Sequence, residues 1–264
     1  MQGIENKVVI VTGGAGGPYS IGAEIVRSFH RAGARVVIAD INEASAEDLA
    51  RELQQNAIAV TTDITSDVQL RELIEVTIEA FGGIDFIINC AATYEEAGLD
   101  SSREQLQKGL DINTVSAAML TQFALPHLQA SRGAVVNFGS VSGKICQFGR
   151  FMYAISKAAC LHMTRVQAAQ LATHGIRVNS VSPGWAWSDP IGGATGGDRE
   201  KADSVGATMH PLGRISDQAD VANACLFLCS EEARHITGVD LPVDGGYMTP
   251  GPEQQTGSIH WLTS

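Results

Sequence analysis

Short and nearly uninterrupted apolar runs, rich in β-branched residues, recur along the whole chain. Seven such runs occur, at positions 8–12, 35–40, 57–63, 85–90, 134–140, 177–183 and 239–246. Strands buried on both faces of a parallel sheet have this composition, because neither of their faces meets solvent. We therefore predict about seven strands in one sheet.

Segments with the 3.6-residue spacing of amphipathic helices separate the apolar runs. The longest extend from about Ser102 to Leu128 and from Tyr153 to His174. Several of these segments end at glycine, a common helix C-terminal signal. Because regular alternation of strands and helices requires right-handed crossovers, we predict an α/β fold with a Rossmann-type doubly wound parallel sheet. We expect it to form a single domain over residues 1–247.

Two regions interrupt the alternation. Residues 188–213 are rich in glycine and polar residues, and we expect a mobile substrate loop with a short helix there. The tail, residues 248–264, ends in the apolar sequence IHWL. Burying one such side chain is worth about 1.5–3 kcal/mol. We therefore expect an ordered tail that packs on a neighbouring subunit, with a patch on its own subunit as the alternative.

Composition narrows the classes of partner. The formal net charge is −11, so the chain offers no basic field to neutralise the phosphates of nucleic acids or anionic membranes. No apolar run reaches the length of about 18 residues that suggests a membrane span, and the N-terminus has no signal-peptide pattern. We therefore expect a cytoplasmic protein that binds neither nucleic acid nor membrane.

Cysteine usage agrees with a reducing compartment. The five cysteines include no CxxC pair. Cys225 and Cys229 stand one helical turn apart in an apolar segment, which is typical of a buried helix face. No His or carboxylate cluster with metal-ligand spacing accompanies them, so we expect free thiols and no metal site.

A glycine-rich turn, from Thr12 to Gly22, follows the first predicted strand. Its glycines let backbone amides approach a pyrophosphate at the N-terminus of the next helix, where the helix dipole favours negative charge. The second strand ends in Asp40. Its carboxylate can accept hydrogen bonds from the adenine-ribose hydroxyls of NAD and would repel the 2′-phosphate of NADP. We therefore expect NAD as the cofactor, with a helix-capping role as the alternative for Asp40.

Tyr153 and Lys157 are four residues apart at the start of a predicted helix, so their side chains share one face. A nearby ammonium group stabilises a phenolate and lowers the phenol pKa from its usual value of about 10. Ser140, at the end of the fifth predicted strand, can hydrogen-bond a reacting oxygen. All three fall at the carboxyl end of the sheet, where such folds bind ligands. The set predicts acid/base catalysis by Tyr153.

These motifs resemble those of the short-chain dehydrogenase/reductase (SDR) family over roughly residues 5–247. The family's YxxxK motif falls on Tyr153 and Lys157, and its catalytic Ser and helix Asn fall on Ser140 and Asn113. The resemblance implies that Tyr153 exchanges the hydroxyl proton of the substrate while hydride passes to or from nicotinamide. It also implies that Lys157 holds the nicotinamide ribose and that Asn113 supports a water relay.

The resemblance also implies cofactor contacts. The NNAG motif takes the relaxed form NCAA, which begins at Asn89. The Asp-aliphatic pair that contacts adenine falls on Asp63 and Ile64, and the PGxxxT motif ends in Ser188 instead of Thr. The implied contacts in the phosphate turn are Gly13, Gly17, Ile21 and Gly22.

One departure from the family pattern lengthens this turn. The residues Pro18-Tyr19-Ser20 are inserted before Ile21, and we expect the fold to tolerate them as a surface insertion. Which amides then reach the pyrophosphate is left open by the sequence.

The resemblance implies an NAD-dependent oxidoreductase that interconverts a secondary alcohol and a ketone. The alternatives are an NADPH-dependent 3-oxoacyl-type ketoreductase and a non-catalytic cofactor-sensing protein on the same fold. The polar and aromatic residues near the site suit a cyclic polyol, sugar or dihydrodiol better than a long acyl chain. Those expected to contact substrate are Tyr94, Gln147, Arg150, Trp185, Trp187 and His210.

Self-association follows from the same resemblance. The helical segments near 102–128 and 153–174 have wide apolar faces, and in the family these helices form the main dimer contact. We expect a homotetramer, with a dimer as the alternative.

Overall fold

The seven apolar runs form one parallel sheet in the computed structural model, which describes residues 1–251. Its strands are β1 (Val8–Thr12), β2 (Arg35–Asp40), β3 (Ala57–Thr61), β4 (Phe86–Asn89), β5 (Ala134–Phe138), β6 (Arg177–Pro183) and β7 (Asp240–Val243). They are ordered β3-β2-β1-β4-β5-β6-β7 across the sheet. The order reverses between β1 and β4, and doubly wound sheets bind ligands in the crevice at such a reversal. The predicted fold class is confirmed.

Helices cover both faces of the sheet. Within the described residues they are α1 (Ile21–Arg31), α2 (Glu43–Leu53), α3 (Asp67–Phe81), α4 (Arg103–Leu110), α5 (Ser116–Phe123), α6 (Leu125–Ser131), α7 (Met152–Leu171), α8 (Asp189–Thr195), α9 (Arg199–Ala207) and α10 (Gln218–Cys229). Polar caps begin several of them. Ser20, for example, accepts a hydrogen bond from the Ala23 amide at 3.2 Å and so begins α1.

Two apolar layers hold the sheet between the helices. Val9 and Val11 of β1 pack in a layer with residues of α1 and α10, whereas Val8 and Ile10 pack in the opposite layer with residues of α3 and α5. All four valine and isoleucine side chains are buried. Because both faces of the strand are covered, the strand needs an uninterrupted apolar sequence.

The predicted helical stretch from Ser102 to Leu128 is interrupted. A π-helical turn, Asp111–Val115, separates α4 from α5, and α6 follows as a separate short helix. The π turn contains Asn113, which is buried. Single π turns inside α-helices occur frequently at functional sites, because the extra residue changes where side chains are directed.

The substrate loop contains more regular structure than expected. Two helices, α8 and α9, lie where the sequence predicted one short helix. A third apolar cluster lies beneath them, formed by Trp187, Ala202 and Ile215, with Tyr19 packed against it. The loop is therefore attached to the protein by its own small core.

The remaining predictions concern membrane spans, cysteines, metal sites and the C-terminal tail. No helix in residues 1–251 is long and apolar enough to cross a membrane. The five cysteines are free thiols, and the described residues contain no group of three potential metal ligands. The predicted packing of the tail, residues 248–264, depends mainly on residues 252–264, which lie outside the described part of the chain.

Candidate active site

Three residues meet at the carboxyl ends of β4 and β5. Tyr153 lies in the first turn of α7, Lys157 one turn later, and Ser140 just after β5. Lys157 is only 2% exposed, and its Nζ donates to the Phe138 carbonyl at 2.8 Å. The same Nζ lies 5.6 Å from the centre of the Tyr153 ring. The predicted set Ser140, Tyr153 and Lys157 is thus brought together.

Burial raises the pKa of Tyr153 above its ordinary value. Hydrogen bonds with Tyr94 and Ser140 and the charge of Arg150 oppose this rise. The direction differs from the lowering that we predict from Lys157 alone, because the loss of solvent around the hydroxyl outweighs the stabilisation of the phenolate. Tyr153 is therefore set to hold its proton more tightly than a phenol in water.

Tyr94 lies against the Tyr153 ring. The two ring centres are 4.6 Å apart with an interplanar angle of 29°. The pKa of Tyr94 is raised well above its ordinary value, first because a Tyr153 phenolate would repel a second phenolate and then because of desolvation. The raised pKa favours the protonated form of Tyr94, whose hydroxyl is a hydrogen-bond partner of Tyr153.

Ser140, Tyr153 and Lys157 line a large cavity, whereas Asn113 and Asn89 lie outside its lining. The Asn113 Oδ1 accepts from the Thr93 amide at 2.7 Å, and its Nδ2 donates to the Thr93 carbonyl and to Ser156, both at 3.0 Å. The Asn89 Nδ2 donates to Asn137 at 2.8 Å. In this structure the Asn113 side chain holds the backbone of Thr93, whereas the Asn89 side chain bonds the Asn137 side chain.

Asp40 ends β2 at the far end of the same cavity. Its two carboxylate oxygens accept from the backbone amides of Ala15 and Asn42, each at 3.0 Å. These bonds fix the carboxylate without using all its acceptor positions. Asp63 and Ile64, the predicted adenine contacts, line the same end of the cavity.

The glycine-rich turn lines the same cavity, between the end at Asp40 and the end at Tyr153. A Cβ at Gly13 would lie 2.8 Å from the Ala91 backbone, and one at Gly22 would lie 1.8 Å from the Gly13 carbonyl oxygen. Larger residues are therefore excluded at both positions. Among the described residues the amides of Ile21 and Gly22 have no hydrogen-bond acceptor. Free amides at a helix N-terminus suit a phosphate group, so the residues present fit a dinucleotide cofactor.

The inserted segment Pro18-Tyr19-Ser20 is not an independent surface loop. The Asp189 carboxylate accepts from the amides of Gly17 and Tyr19, each at 2.9 Å. The Tyr19 ring lies 4.7 Å from the Trp187 ring, centre to centre. The lengthened turn is therefore attached to the substrate loop. In the structure the Gly17 amide, predicted to contact the cofactor, binds Asp189, while Ser188 lines the cavity.

The cavity has a volume of about 940 Å³ and extends from Asp40 to Tyr247. Ligand sites commonly measure about 300–1,000 Å³. Four predicted substrate residues line it: Tyr94, Gln147, Arg150 and Trp185. Gln147 accepts a hydrogen bond from Ser142 and donates to the Tyr247 hydroxyl at 3.0 Å.

The structure does not place Trp187 and His210 in the cavity lining. Trp187 is 8% exposed because it packs against Tyr19 in the third apolar cluster. His210 is fully buried, with Nδ1 bonded to the Gly206 carbonyl at 2.9 Å and Nε2 accepting from the Trp185 amide at 3.2 Å. Both ring nitrogens are therefore used in fixing the backbone.

Sequence reasoning missed two acidic residues beside the site. Asp189 follows the predicted PGxxxT element directly, and Glu96 lies in the segment after β4. Neither belongs to a recognisable motif. Their roles depend on contacts with residues 172 and 55 positions away in the chain, which no local pattern indicates.

Comparisons with known proteins identify the family of the chain. A family model described as enoyl-(acyl carrier protein) reductase matches residues 14–248. L-fucose dehydrogenase of Mus musculus is 38% identical, covering 91% of this chain and 88% of that protein. The 2,5-dichloro-2,5-cyclohexadiene-1,4-diol dehydrogenase LinX of Sphingobium indicum is 33% identical, covering 92% of this chain and 97% of that protein.

A solved structure is similar over the same extent. A 7α-hydroxysteroid dehydrogenase complexed with NADH and 7-oxo glycochenodeoxycholic acid superposes with a TM-score of 0.84 at 31% identity. The match covers 92% of this chain and 94% of that chain. The chain therefore belongs to the short-chain dehydrogenase/reductase family. It is an oxidoreductase that interconverts a secondary alcohol and a ketone with a nicotinamide cofactor.

Proposed function

We propose that the chain is an NAD-dependent dehydrogenase acting on a secondary alcohol of a cyclic polyol, sugar or dihydrodiol. The observation that carries this proposal is the meeting of Ser140, Tyr153 and Lys157 at one end of a cavity whose other end has Asp40. Acid/base residues at one end and a ribose-binding carboxylate at the other suit a dinucleotide and a small alcohol together.

Tyr153 acts as the acid/base group. In alcohol oxidation its phenolate accepts the hydroxyl proton of the substrate, and Ser140 donates a hydrogen bond to the same substrate oxygen. Lys157, whose Nζ lies 5.6 Å from the centre of the Tyr153 ring, would hold the nicotinamide ribose when the cofactor is bound. Bound NAD supplies the hydride acceptor. General acid/base catalysis of this kind contributes about 10²–10⁴-fold to the rate.

Asp40 supports a preference for NAD over NADP. Its carboxylate is 9% exposed and held by two backbone amides. A fixed negative charge at this position can accept from two ribose hydroxyls, whereas a 2′-phosphate would meet like charge. Among the described residues, no lysine or arginine lines this end of the cavity. This supports a dehydrogenase over the NADPH-dependent ketoreductase.

Hydrogen-bonding groups in the cavity support the substrate class. Tyr94, Gln147, Arg150 and Tyr247 line the same cavity as Tyr153, and Trp185 adds a flat apolar surface. A polyol or diol can satisfy several of these groups, whereas a long acyl chain would leave them unpaired at a cost. Two relatives, an L-fucose dehydrogenase and a chlorinated cyclohexadienediol dehydrogenase, are named for substrates of this kind.

A substrate screen tests the proposal. Purified protein is incubated with NAD or NADP and a set of sugars, cyclic polyols, dihydrodiols and 3-hydroxyacyl thioesters, and formation of the reduced cofactor is followed by absorbance. We expect the highest kcat/KM with NAD and a cyclic hydroxylated substrate. Preference for NADP together with an acyl thioester would establish the ketoreductase alternative. NAD binding without turnover of any substrate would favour the cofactor-sensing alternative.

The same proposal includes a homotetramer. Ile155 and Val166 of α7 are 45% and 41% exposed, and Val115 between α4 and α5 is 47% exposed. Apolar side chains exposed along neighbouring helices support self-association there. We expect light scattering to give a tetramer, and Ile155→Lys to reduce it to dimers or monomers. Val68→Lys, at an exposed apolar position on α3, is the matched control and should leave assembly unchanged.

Location is the remaining part of the proposal. We infer a cytoplasmic enzyme, because five unpaired cysteines suit a reducing compartment. The segment from 1 to 247 acts as one catalytic domain that includes the substrate loop. Fractionation of cells that express the untagged chain should recover NAD-dependent activity with cytoplasmic markers, and recovery in another fraction would contradict this.

A further inference from the structure

Glu96 is a buried carboxylate beside the catalytic residues. It lies in the segment between β4 and α4, and its side chain is only 4% exposed. Its Oε2 accepts from the amide of Phe151 at 2.7 Å and from the amide of Tyr153 at 3.4 Å. A residue from a distant loop is therefore bonded to the backbone of the catalytic tyrosine itself.

The first backbone amides of α7 need a hydrogen-bond acceptor from outside the helix. Phe151 is the N-cap residue, and its side chain makes no capping hydrogen bond. The first amides of a helix have no acceptor within the helix, and a negative charge there is stabilised by the helix dipole. Glu96 thus does from outside the helix what a Ser or Asp at the N-cap position does in α1 and α9.

The other carboxylate oxygen of Glu96 faces Arg150 and not the start of α7. Oε1 is buried and has no hydrogen-bond partner among the described residues. The nearest cation is Arg150, whose Nη1 lies 4.0 Å away. The Arg150 guanidinium carbon lies 5.7 Å from the centre of the Tyr94 ring and 5.8 Å from that of Tyr153. Glu96 therefore faces the positive charge that lies over both tyrosines.

Tyr94 is held from both sides along the chain. Thr93 is fixed by two hydrogen bonds with Asn113, and Glu96 is fixed by the start of α7. Tyr94 lies between these two anchors. The two anchors restrain the backbone on either side of the ring that stacks on Tyr153.

We propose that Glu96 is a positioning residue for Tyr153, which fixes the start of α7 and holds Tyr94 and Arg150 against the reacting hydroxyl. The proposal rests on the function proposed above, in that Tyr153 is the acid/base group. Glu96 contacts the tyrosine backbone and the Arg150 charge, and acts on the reaction through them.

The direction in which a charge change at Glu96 shifts the pKa of Tyr153 can be predicted. The titratable and charged groups that face Tyr153 are Tyr94, Glu96, Arg150, Lys157 and Cys160. Glu96→Gln keeps an acceptor oxygen for the two amides but removes the negative charge. The Arg150 charge then acts without its partner, so the pKa of Tyr153 should fall. Arg150→Met removes the positive charge, so the pKa should rise.

Ultraviolet titration of tyrosinate measures this directly and needs no substrate. Tyr153→Phe identifies the contribution of Tyr153 among the four tyrosines. We expect Glu96→Gln to move that contribution to lower pH by about 0.5–1 unit and Arg150→Met to move it to higher pH by a similar amount. The double variant should titrate between the two single variants. Glu95→Gln is the matched control, because Glu95 is exposed and pairs with Lys108 at 2.7 Å.

Turnover supplies the second measurement. Glu96→Ala removes both the charge and the acceptor, and we expect kcat to fall about tenfold while the KM for NAD changes less than about twofold. Identical titrations of wild type, Glu96→Gln and Glu95→Gln would overturn the proposal, as would shifts of Glu96→Gln and Arg150→Met in the same direction. Absence of alcohol oxidation by the wild type would refute the proposed function alone, since the titration still decides the role of Glu96.

Discussion

The two ends of the cavity are built in different ways. At the catalytic end, Tyr153 and Lys157 project from a twenty-residue helix and are at most 7% exposed. At the phosphate end, Gly16 and Gly17 are exposed, and the turn is held by Asp189 of the substrate loop. The catalytic side chains therefore project from the main framework, with Glu96 bonded to the helix start, whereas the phosphate turn is held by a segment from the other half of the chain. Substitutions at the catalytic end should mainly change kcat, whereas substitutions at the phosphate end should mainly change the KM for NAD.

The largest effect is expected at the catalytic end. Tyr153→Phe removes only the hydroxyl, so the ring still packs between Tyr94 and Lys157. We expect kcat to fall by about 10²–10⁴-fold, with NAD binding and melting temperature nearly unchanged. In the wild type, alcohol oxidation should rise with pH through the pKa of Tyr153, which burial raises, because the phenolate is the acting base. A variant that retains more than about a tenth of the activity would contradict the assignment.

Local spacing explains why the catalytic end could be predicted. Residues four apart on a helix share a face whatever surrounds them, and Ser140 follows a strand whose position in the sheet is fixed by its apolar sequence. The same reasoning gave the place of Asp40 at the end of β2. It did not indicate that Trp187 and His210 lie outside the cavity lining, because their surroundings are set by packing of the loop against Tyr19 and by a hydrogen bond to the backbone of Gly206.

The contacts of Asp189 and Glu96 could not be found from local patterns. An acidic residue near a glycine or a tyrosine in sequence is a common occurrence, and only tertiary packing decides which amides it meets. The three inserted residues were therefore expected to be a tolerated surface insertion, whereas in the structure they make the contacts that join the turn to the substrate loop. The sequence predicts well where one element is sufficient, and less well where two distant segments define one feature.

Cofactor selectivity tests the far end of the cavity. Asp40→Ala removes the carboxylate that disfavours a 2′-phosphate, so the NAD over NADP ratio of kcat/KM should fall by about 10–100-fold, as loss of hydrogen bonds to a charged group and of like-charge repulsion predicts. Asp40→Asn is the control that keeps the size of the side chain. The kcat with saturating NAD should change little, because Tyr153 is unaffected. An unchanged ratio would show that selectivity lies elsewhere.

The attachment of the phosphate turn is the next test. Asp189→Ala removes acceptors for the amides of Gly17 and Tyr19. We expect the KM for NAD to rise about 5–10-fold, which corresponds to about 1–1.4 kcal/mol for two partly exposed charge-assisted hydrogen bonds. Glu200→Gln, an exposed acid in the same loop, should leave KM unchanged. A lower KM for Asp189→Ala would mean that this carboxylate competes with the cofactor phosphates instead of holding the turn.

The smallest effect on the KM for NAD is expected from substitutions at two neighbouring glycines of α8. A Cβ at Gly192 would lie 2.2 Å from the Tyr19 ring, whereas one at Gly193 meets nothing within 4 Å. Gly192→Ala should push Tyr19 from its place, at a cost of about 1–3 kcal/mol, part of which the better helix propensity of alanine offsets. Gly193→Ala gains that propensity, up to about 1 kcal/mol, without the clash. We therefore expect the first variant to melt lower and raise the KM for NAD by about twofold, and the second to melt slightly higher with unchanged KM. Equal melting temperatures and KM values for the two variants would show that Tyr19 is not held by α8, and that the turn keeps its shape without the substrate loop.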